Sequence, residues 1–135
     1  MGAGAAARGE PVSDSGFEDM VGFEERSAGD GRAEIVLLAS EHHLNASGVV
    51  HGGAIAAMVD LAMGRAVNSM TRAEERPVTI EMKVNYLEAG KPGELVARAQ
   101  VLRRGRLFTV VHAEVEQVED GETLAEAMGT FTTIG

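Results

Sequence analysis

The apolar positions of this sequence follow strand-like patterns at both ends and a helical pattern between them. Segments 17–26 and 32–40 resemble strands, and the turn-forming stretch 27–31 between them predicts a β-hairpin. Residues 53–70 form instead a long run rich in Ala and Met, with good helix formers and no proline. The composition and length of this run predict a helix.

After the helix, the pattern returns to the alternation of strands. Pro77 ends any helical continuation, and apolar and polar residues alternate from 78 to 86, which puts Thr79 on the face opposite to Val78 and Ile80. Three further runs follow, joined by short links that contain glycine, at residues 93–103, 107–118 and 122–132. Such links predict antiparallel hairpins.

This order of elements predicts an α+β domain in which a curved antiparallel sheet wraps one long central helix. The helix is apolar nearly all round, so other elements must cover most of its surface. A chain of 135 residues has room for one such domain with one core. Residues 1–16 are rich in Gly, Ala and Ser and show no periodicity, so we expect a flexible tail before a domain at 17–135.

The net charge argues against several classes of partner. A formal charge of −9 at pH 7 repels nucleic-acid phosphates and anionic lipid surfaces, so we expect neither nucleic acid nor a membrane as a partner. The longest apolar stretch, 54–67, is interrupted by Asp60, Gly64 and Arg65. We therefore expect a cytoplasmic protein.

Metal, thiol and serine chemistry find no support in the sequence. The absence of Cys excludes a thiol nucleophile and any Cys-ligated zinc. His42 and His43 are adjacent, but no third ligand stands at metal spacing, so we expect both to be solvated and no metal to be bound. Ser47 and Ser69 lie outside any Gly-x-Ser-x-Gly motif and have no evident His-Asp pairing.

The start of the predicted helix combines two features that suit catalysis. Gly52 and Gly53 leave backbone N–H groups accessible at the positive end of the helix dipole, as in an oxyanion or phosphate site. Asp60 lies about two turns further on, in an otherwise apolar helix, where burying an unpaired carboxylate costs several kcal/mol. We interpret Asp60 as a chemical group, with pairing to Arg65 or contact with water as the alternatives.

Two polar residues before the helix have open roles. His51 either takes part in the chemistry or only hydrogen-bonds the loop. Asn45 is either part of the site or a turn residue.

Together these residues resemble the signature of a known family, the PaaI-like acyl-CoA thioesterases of the hot-dog superfamily. The signature consists of Asn45, a glycine, His51-Gly52-Gly53, Asp60, the strand segment 78–82 with Tyr86, and Gly93-Glu94. The resemblance spans about residues 17–135. It implies the hot-dog fold, with about five to six strands around the helix.

The resemblance also implies a role for each site residue. The N–H of Gly52 would bind the thioester carbonyl, Asp60 would act as nucleophile or as general base on water, and Thr79 would position that water. Asn45 and His51 would hold the geometry of the site. Some members carry a threonine where this chain has Gly64, which leaves water positioning to Thr79.

Substrate binding and assembly follow from the same resemblance. In this family the site lies between two copies, so a homodimer is the minimum assembly, and a homotetramer built as a dimer of dimers is expected. The coenzyme A moiety would contact Tyr86, Lys91 and the basic turn Arg103-Arg104-Gly105-Arg106, although that turn could also be merely a solvated hairpin tip. No separate cofactor is expected, because coenzyme A is part of the substrate.

The acyl group and the reaction leave alternatives. A small aromatic or a medium-chain acyl group is expected, in a chamber lined by residues such as Met58, Met63 and Val84. A non-catalytic acyl-CoA-binding module, or a hot-dog hydratase or dehydratase, could use the same fold.

Overall fold

A computed structural model describes residues 16–135, and within them six antiparallel strands form one sheet around a long helix. In chain order the elements are α1 (Gly16–Val21), β1 (Glu24–Gly29), β2 (Arg32–Ala39), a 3-10 helix (Glu41–His43), α2 (Gly52–Asn68), β3 (Arg76–Tyr86), β4 (Gly93–Arg104), β5 (Thr109–Gln117) and β6 (Glu122–Ile134). The strand order is β1-β2-β4-β5-β6-β3. This confirms the predicted α+β hot-dog architecture.

The amino-terminal end of the domain differs from the prediction. Residues 17–26 were expected to be one strand, but 16–21 form α1, and β1 starts at Glu24. Phe17, Met20 and Val21 have the i, i+3, i+4 spacing of a short helix, and Glu18 and Asp19 favour its first turn. Of the predicted tail, residues 1–15 lie outside the described residues, and Gly16 begins α1.

The predicted hairpin between β1 and β2 is present. The turn is made by Asp30 and Gly31, with φ angles of 54° and 77°. Positive φ at both central residues is typical of the two-residue turn that best matches the twist of paired strands.

The core forms between the sheet and one face of α2, which contacts every strand. The buried residues of α2 recur at helical spacing: Ile55, Met58, Val59, Ala62, Met63, Ala66 and Val67. Met58 and Met63, which were expected to line an acyl chamber, are fully buried in this core instead. The other face of α2, which includes Ala57, Asp60 and Gly64, keeps partial exposure within the described chain.

Strand β3 forms an edge of the sheet and carries a β-bulge. Thr79 pairs with Phe131 and Glu81 with Thr130, so Ile80 is the extra residue. The bulge turns Thr79 toward α2, the side on which Met82 and Val84 pack against the core. Uninterrupted alternation from 78 to 86 would put Thr79 on the face opposite to Met82 and Val84, and the bulge changes this.

No helix within residues 16–135 has both the length and the apolarity needed to cross a bilayer.

Candidate active site

Asp60 and Thr79 meet at the centre of the candidate site. Asp60 lies on α2 and is half-buried, and the bulge of β3 brings Thr79 to it. Thr79 Oγ1 donates a hydrogen bond of 2.7 Å to Asp60 Oδ1. Both side chains line a cavity of about 420 Å³. The carboxylate is thus oriented by one donor and open to a molecule in the cavity.

Arg65 does not neutralise Asp60. Its guanidinium binds Glu18 at 3.2 Å and Glu25 at 2.5 Å, and no bond joins it to Asp60, although both residues are described. The alternative interpretation of Asp60 as half of an ion pair with Arg65 is therefore not supported.

The cavity beside Asp60 is unusually aromatic for this chain. The sequence has four Phe, one Tyr and no Trp. Phe17, Phe23 and Phe131, which come from three separate elements or loops, all line this cavity. Their assembly could not be predicted from the sequence, because no spacing along the chain relates them.

The first turn of α2 leaves one backbone donor available. His51 is the N-cap: its Nδ1 accepts from Gly53 N at 2.8 Å, and its carbonyl oxygen accepts from Ala54 N at 2.9 Å and Ile55 N at 3.3 Å. The N–H of Gly52 has no acceptor among residues 16–135. A free N–H at a helix N-terminus is suited to stabilising a developing negative charge.

Residue 53 must be glycine for this cap to form. A Cβ atom added there would lie 2.9 Å from His51 Nδ1, closer than a real Cβ contact allows. Gly53 therefore allows the cap to form, and Gly52 carries the N–H group that remains available.

Asn45 organises the loop that leads into α2. Its Oδ1 accepts from Ser47 N at 2.9 Å and Val49 N at 3.3 Å, and its own N–H donates to the carbonyl of Val49. These bonds are those of a turn residue, and they hold the loop rather than a substrate.

Tyr86 covers the start of α2. Its Oη donates a hydrogen bond of 2.8 Å to the carbonyl oxygen of Gly52. A Cβ atom on Gly52 would lie 3.4 Å from the ring, so the ring rests directly on this glycine. Tyr86 is half-exposed and belongs to the helix start, not to the basic turn.

Lys91 is held in an ion pair. Its Nζ lies 3.2 Å from Asp120 Oδ2. The hydrogen bond and charge of Asp120 raise the pKa of Lys91, while a backbone hydrogen bond from Glu122 and then Lys91 lower the pKa of Asp120. The structure therefore does not bring Lys91 together with the basic turn.

The basic turn lies at the opposite end of α2 from Gly52. Arg104, Gly105 and Arg106 line a cavity of about 500 Å³, whereas Arg103 is exposed and does not line it. Arg72, from the loop between α2 and β3, joins them. Sequence reasoning missed Arg72, because nothing in its local sequence connects it to a turn some thirty residues later.

The two adjacent histidines differ. His42 is exposed, but His43 is half-buried: its Nδ1 accepts from Ser40 N at 2.9 Å, and its Nε2 lies 2.7 Å from the carbonyl oxygen of Val21. The prediction that both are solvated is wrong for His43, which ties the end of α1 to the loop before α2. Among the described residues, no group of three or more His, Asp or Glu could hold a metal ion.

One chain does not bring Gly52 and Asp60 together. Gly52 and Asp60 are eight residues apart on α2, which corresponds to about 12 Å along the helix axis. They also line different cavities. A thioester carbonyl cannot contact both groups of the same copy.

Comparisons with known proteins fit this geometry. The sequence pattern that defines the Thioesterase superfamily matches residues 47–124. The human acyl-coenzyme A thioesterase 13 is 29% identical over 105 residues, which cover 77% of this chain and 74% of that protein.

Solved structures give the same result. A conserved protein of Pseudomonas aeruginosa is 39% identical with a TM-score of 0.85, covering 90% of this chain and 95% of that one. The E. coli PaaI protein from the phenylacetic acid degradation operon is 25% identical with a TM-score of 0.83, covering 90% of this chain and 86% of that one. These matches confirm the resemblance found in the sequence. The chain belongs to the thioesterase superfamily and is an enzyme of hot-dog fold.

Proposed function

We propose that this chain hydrolyses acyl-CoA thioesters, with Asp60 of one copy and the N–H of Gly52 of a second copy completing each site. The observation that carries the proposal is the pairing of two available groups: a carboxylate fixed by Thr79 at a cavity lined by three Phe side chains, and a helix N-terminal N–H without an acceptor among the described residues. The similarity to an acyl-coenzyme A thioesterase supports the substrate class.

The chemistry requires little beyond these two groups. As a general base, Asp60 takes a proton from water, and the hydroxide attacks the thioester carbon. The N–H of Gly52 binds the resulting oxyanion, the C–S bond breaks, and the thiolate leaves and takes up a proton. A positioned base contributes about 10²- to 10⁴-fold in rate and one oxyanion donor about 10²- to 10³-fold.

Direct attack by Asp60 is the other route. The carboxylate then attacks the thioester carbonyl carbon, the C–S bond breaks and the coenzyme A thiolate leaves and takes up a proton, and water hydrolyses the resulting mixed anhydride in a second step. Both routes use the same two groups.

Two surfaces support self-association as a homodimer, which could in turn pair as a dimer of dimers. β3 is an edge strand, with unpaired backbone groups along one side and Ile80 half-exposed. The face of α2 that carries Ala57, Asp60 and Gly64 is only partly covered by its own chain. A second copy would cover an apolar helix face and supply the missing N–H.

Different cavities suit different parts of the substrate. Three Phe side chains around Asp60 favour a small aromatic acyl group, and a medium-chain group would also meet an apolar lining. Arg104 and Arg106, with Arg72, line a cavity suited to the phosphates of coenzyme A. Tyr86 and Lys91 do not line this cavity, so they would contact a different part of that moiety.

The shared site can be tested with two inactive variants. Asp60→Asn removes the base, and Gly52→Pro removes the N–H. Proline is well tolerated at the first position of a helix, and His51 before it already has an extended backbone, with φ −60° and ψ 132°. Gly52→Ala, which adds a Cβ but keeps the N–H, is the matched control and should retain most activity.

The two variants are then coexpressed with different tags, and the mixed dimer is purified. If each site takes Asp60 and Gly52 from different copies, the mixed dimer has one intact site and recovers thiol release. If both groups come from the same copy, the mixed dimer stays inactive.

Full activity of Asp60→Asn alone would refute the proposal. Binding of intact acyl-CoA without thiol release would favour a binding module, and loss of enoyl-CoA absorbance without thiol release a hydratase.

A further inference from the structure

The helix α1 separates two cavities along the open face of α2. The first is the cavity of about 420 Å³ that contains Asp60. The second, of about 630 Å³, is lined mainly by apolar side chains and by the start of α2, including Met20, Val21, Leu44, His51 and Ala54. Phe17 is the one residue among the described lining sets that belongs to both. Its ring therefore lies between the two spaces.

The helix α1, which carries Phe17, is anchored by bonds near both of its ends. Glu18, the next residue, binds Arg65 of α2 at 3.2 Å. At the other end of α1, the carbonyl oxygen of Val21 lies 2.7 Å from His43 Nε2. Phe17 is 54% exposed, so it lines the two cavities without being part of the buried core.

We propose that Phe17 sets the size limit of the acyl group, because its ring closes the Asp60 cavity and blocks the way into the second one. This inference rests on the proposed thioesterase function and names the residue that determines the acyl length of that site. Acyl groups short enough to fit beside Asp60 are accepted, whereas longer acyl chains are blocked by the Phe17 ring.

The lining of the second cavity is mainly apolar, so removing the Phe17 ring should favour longer acyl chains. Removing the ring in Phe17→Ala joins the two cavities, and a longer tail can then be buried in the second one. Each buried methylene is worth roughly fourfold in affinity. A decanoyl tail that extends a few methylenes past residue 17 should therefore gain well over tenfold in kcat/KM relative to a hexanoyl tail.

The experiment measures thiol release from hexanoyl-, decanoyl- and phenylacetyl-CoA by wild type, Phe17→Ala and Phe17→Leu. We expect the decanoyl to hexanoyl ratio of kcat/KM to rise at least about tenfold in Phe17→Ala and by less in Phe17→Leu. Phe17 is half-exposed, so thermal melting should show both variants folded. The leucine variant keeps an apolar side chain on α1 and serves as the check if the alanine variant melts early.

Met20→Ala is the matched control, since Met20 lines only the second cavity and is 79% exposed. Alone it should leave the ratio unchanged. Combined with Phe17→Ala it should lower the decanoyl gain, because the tail then contacts residue 20. An unchanged ratio in Phe17→Ala and Phe17→Leu, with wild type active, would overturn the role of Phe17. A wild type that releases no thiol from any substrate would instead overturn the proposed function.

Discussion

Replacing Thr79 by valine tests whether the bond to Asp60 matters for the reaction. Valine has nearly the same shape as threonine and suits a strand, so the bulge and the packing should persist. What is lost is the hydrogen bond of 2.7 Å from Thr79 Oγ1 to Asp60 Oδ1. A hydrogen bond to a charged group contributes about 1.5–3 kcal/mol. Asp60 is half-buried, so water replaces part of the lost bond and the lower end of that range applies.

An effect of about 1.5 kcal/mol corresponds to roughly tenfold in rate. We expect kcat of Thr79→Val to fall by about ten- to thirtyfold, with KM little changed, because Thr79 orients the acid rather than holding the acyl tail. Thr79→Ser keeps a hydroxyl and should stay within a few-fold of wild type. The assay is thiol release from an acyl-CoA at saturating and limiting concentrations. A valine variant with wild-type kcat would show that the hydroxyl neither orients Asp60 nor positions water.

Two further predictions concern the helix start and the basic turn. His51→Ala removes the acceptor of Gly53 N–H, which should cost about 1 kcal/mol and lower Tm by a few degrees, as measured by thermal melting. His51→Asn restores a capping oxygen and should recover most of the lost stability. If His51 also takes part in the chemistry, this variant will regain its Tm but its activity will stay low. Arg104→Ala should raise KM severalfold for an acyl-CoA but not for the matching acyl-pantetheine, which lacks the nucleotide phosphates. Equal KM changes for the two substrates would exclude a phosphate contact.

Most of the fold could be predicted because its signals are local. In β5 buried and half-buried residues alternate without a break, and the predicted run 107–118 contains the observed strand. The six-residue α1 could not be distinguished from a strand, since periodicity needs a longer window. The bulge at Ile80 was also not predictable: one extra residue leaves the alternation of the sequence intact while it changes which side chains face the helix.

The candidate site, like the fold, could be predicted only where its residues are close together in the sequence. The Gly-Gly helix start and Asp60 were found because both belong to one short segment. The ring cluster of Phe17, Phe23 and Phe131 and the addition of Arg72 to the basic turn were missed, because only the tertiary fold brings these residues together. Their positions depend on sheet order and on α1, which sequence spacing does not specify.

The spacing of the two proposed catalytic groups on α2 has a consequence for the proposed dimer. Gly52 and Asp60 are each four residues from Ala56, on one rigid helix. If two α2 helices run antiparallel about a two-fold axis near Ala56, Gly52 of each copy lies opposite Asp60 of the other. One symmetric contact then completes two sites at once, as expected for a closed homodimer. The small side chains of Ala56 and Ala57 allow the helices to approach closely. The separation of about 12 Å, which prevents one chain from completing the proposed site, is thus the spacing that a symmetric pair of chains would need.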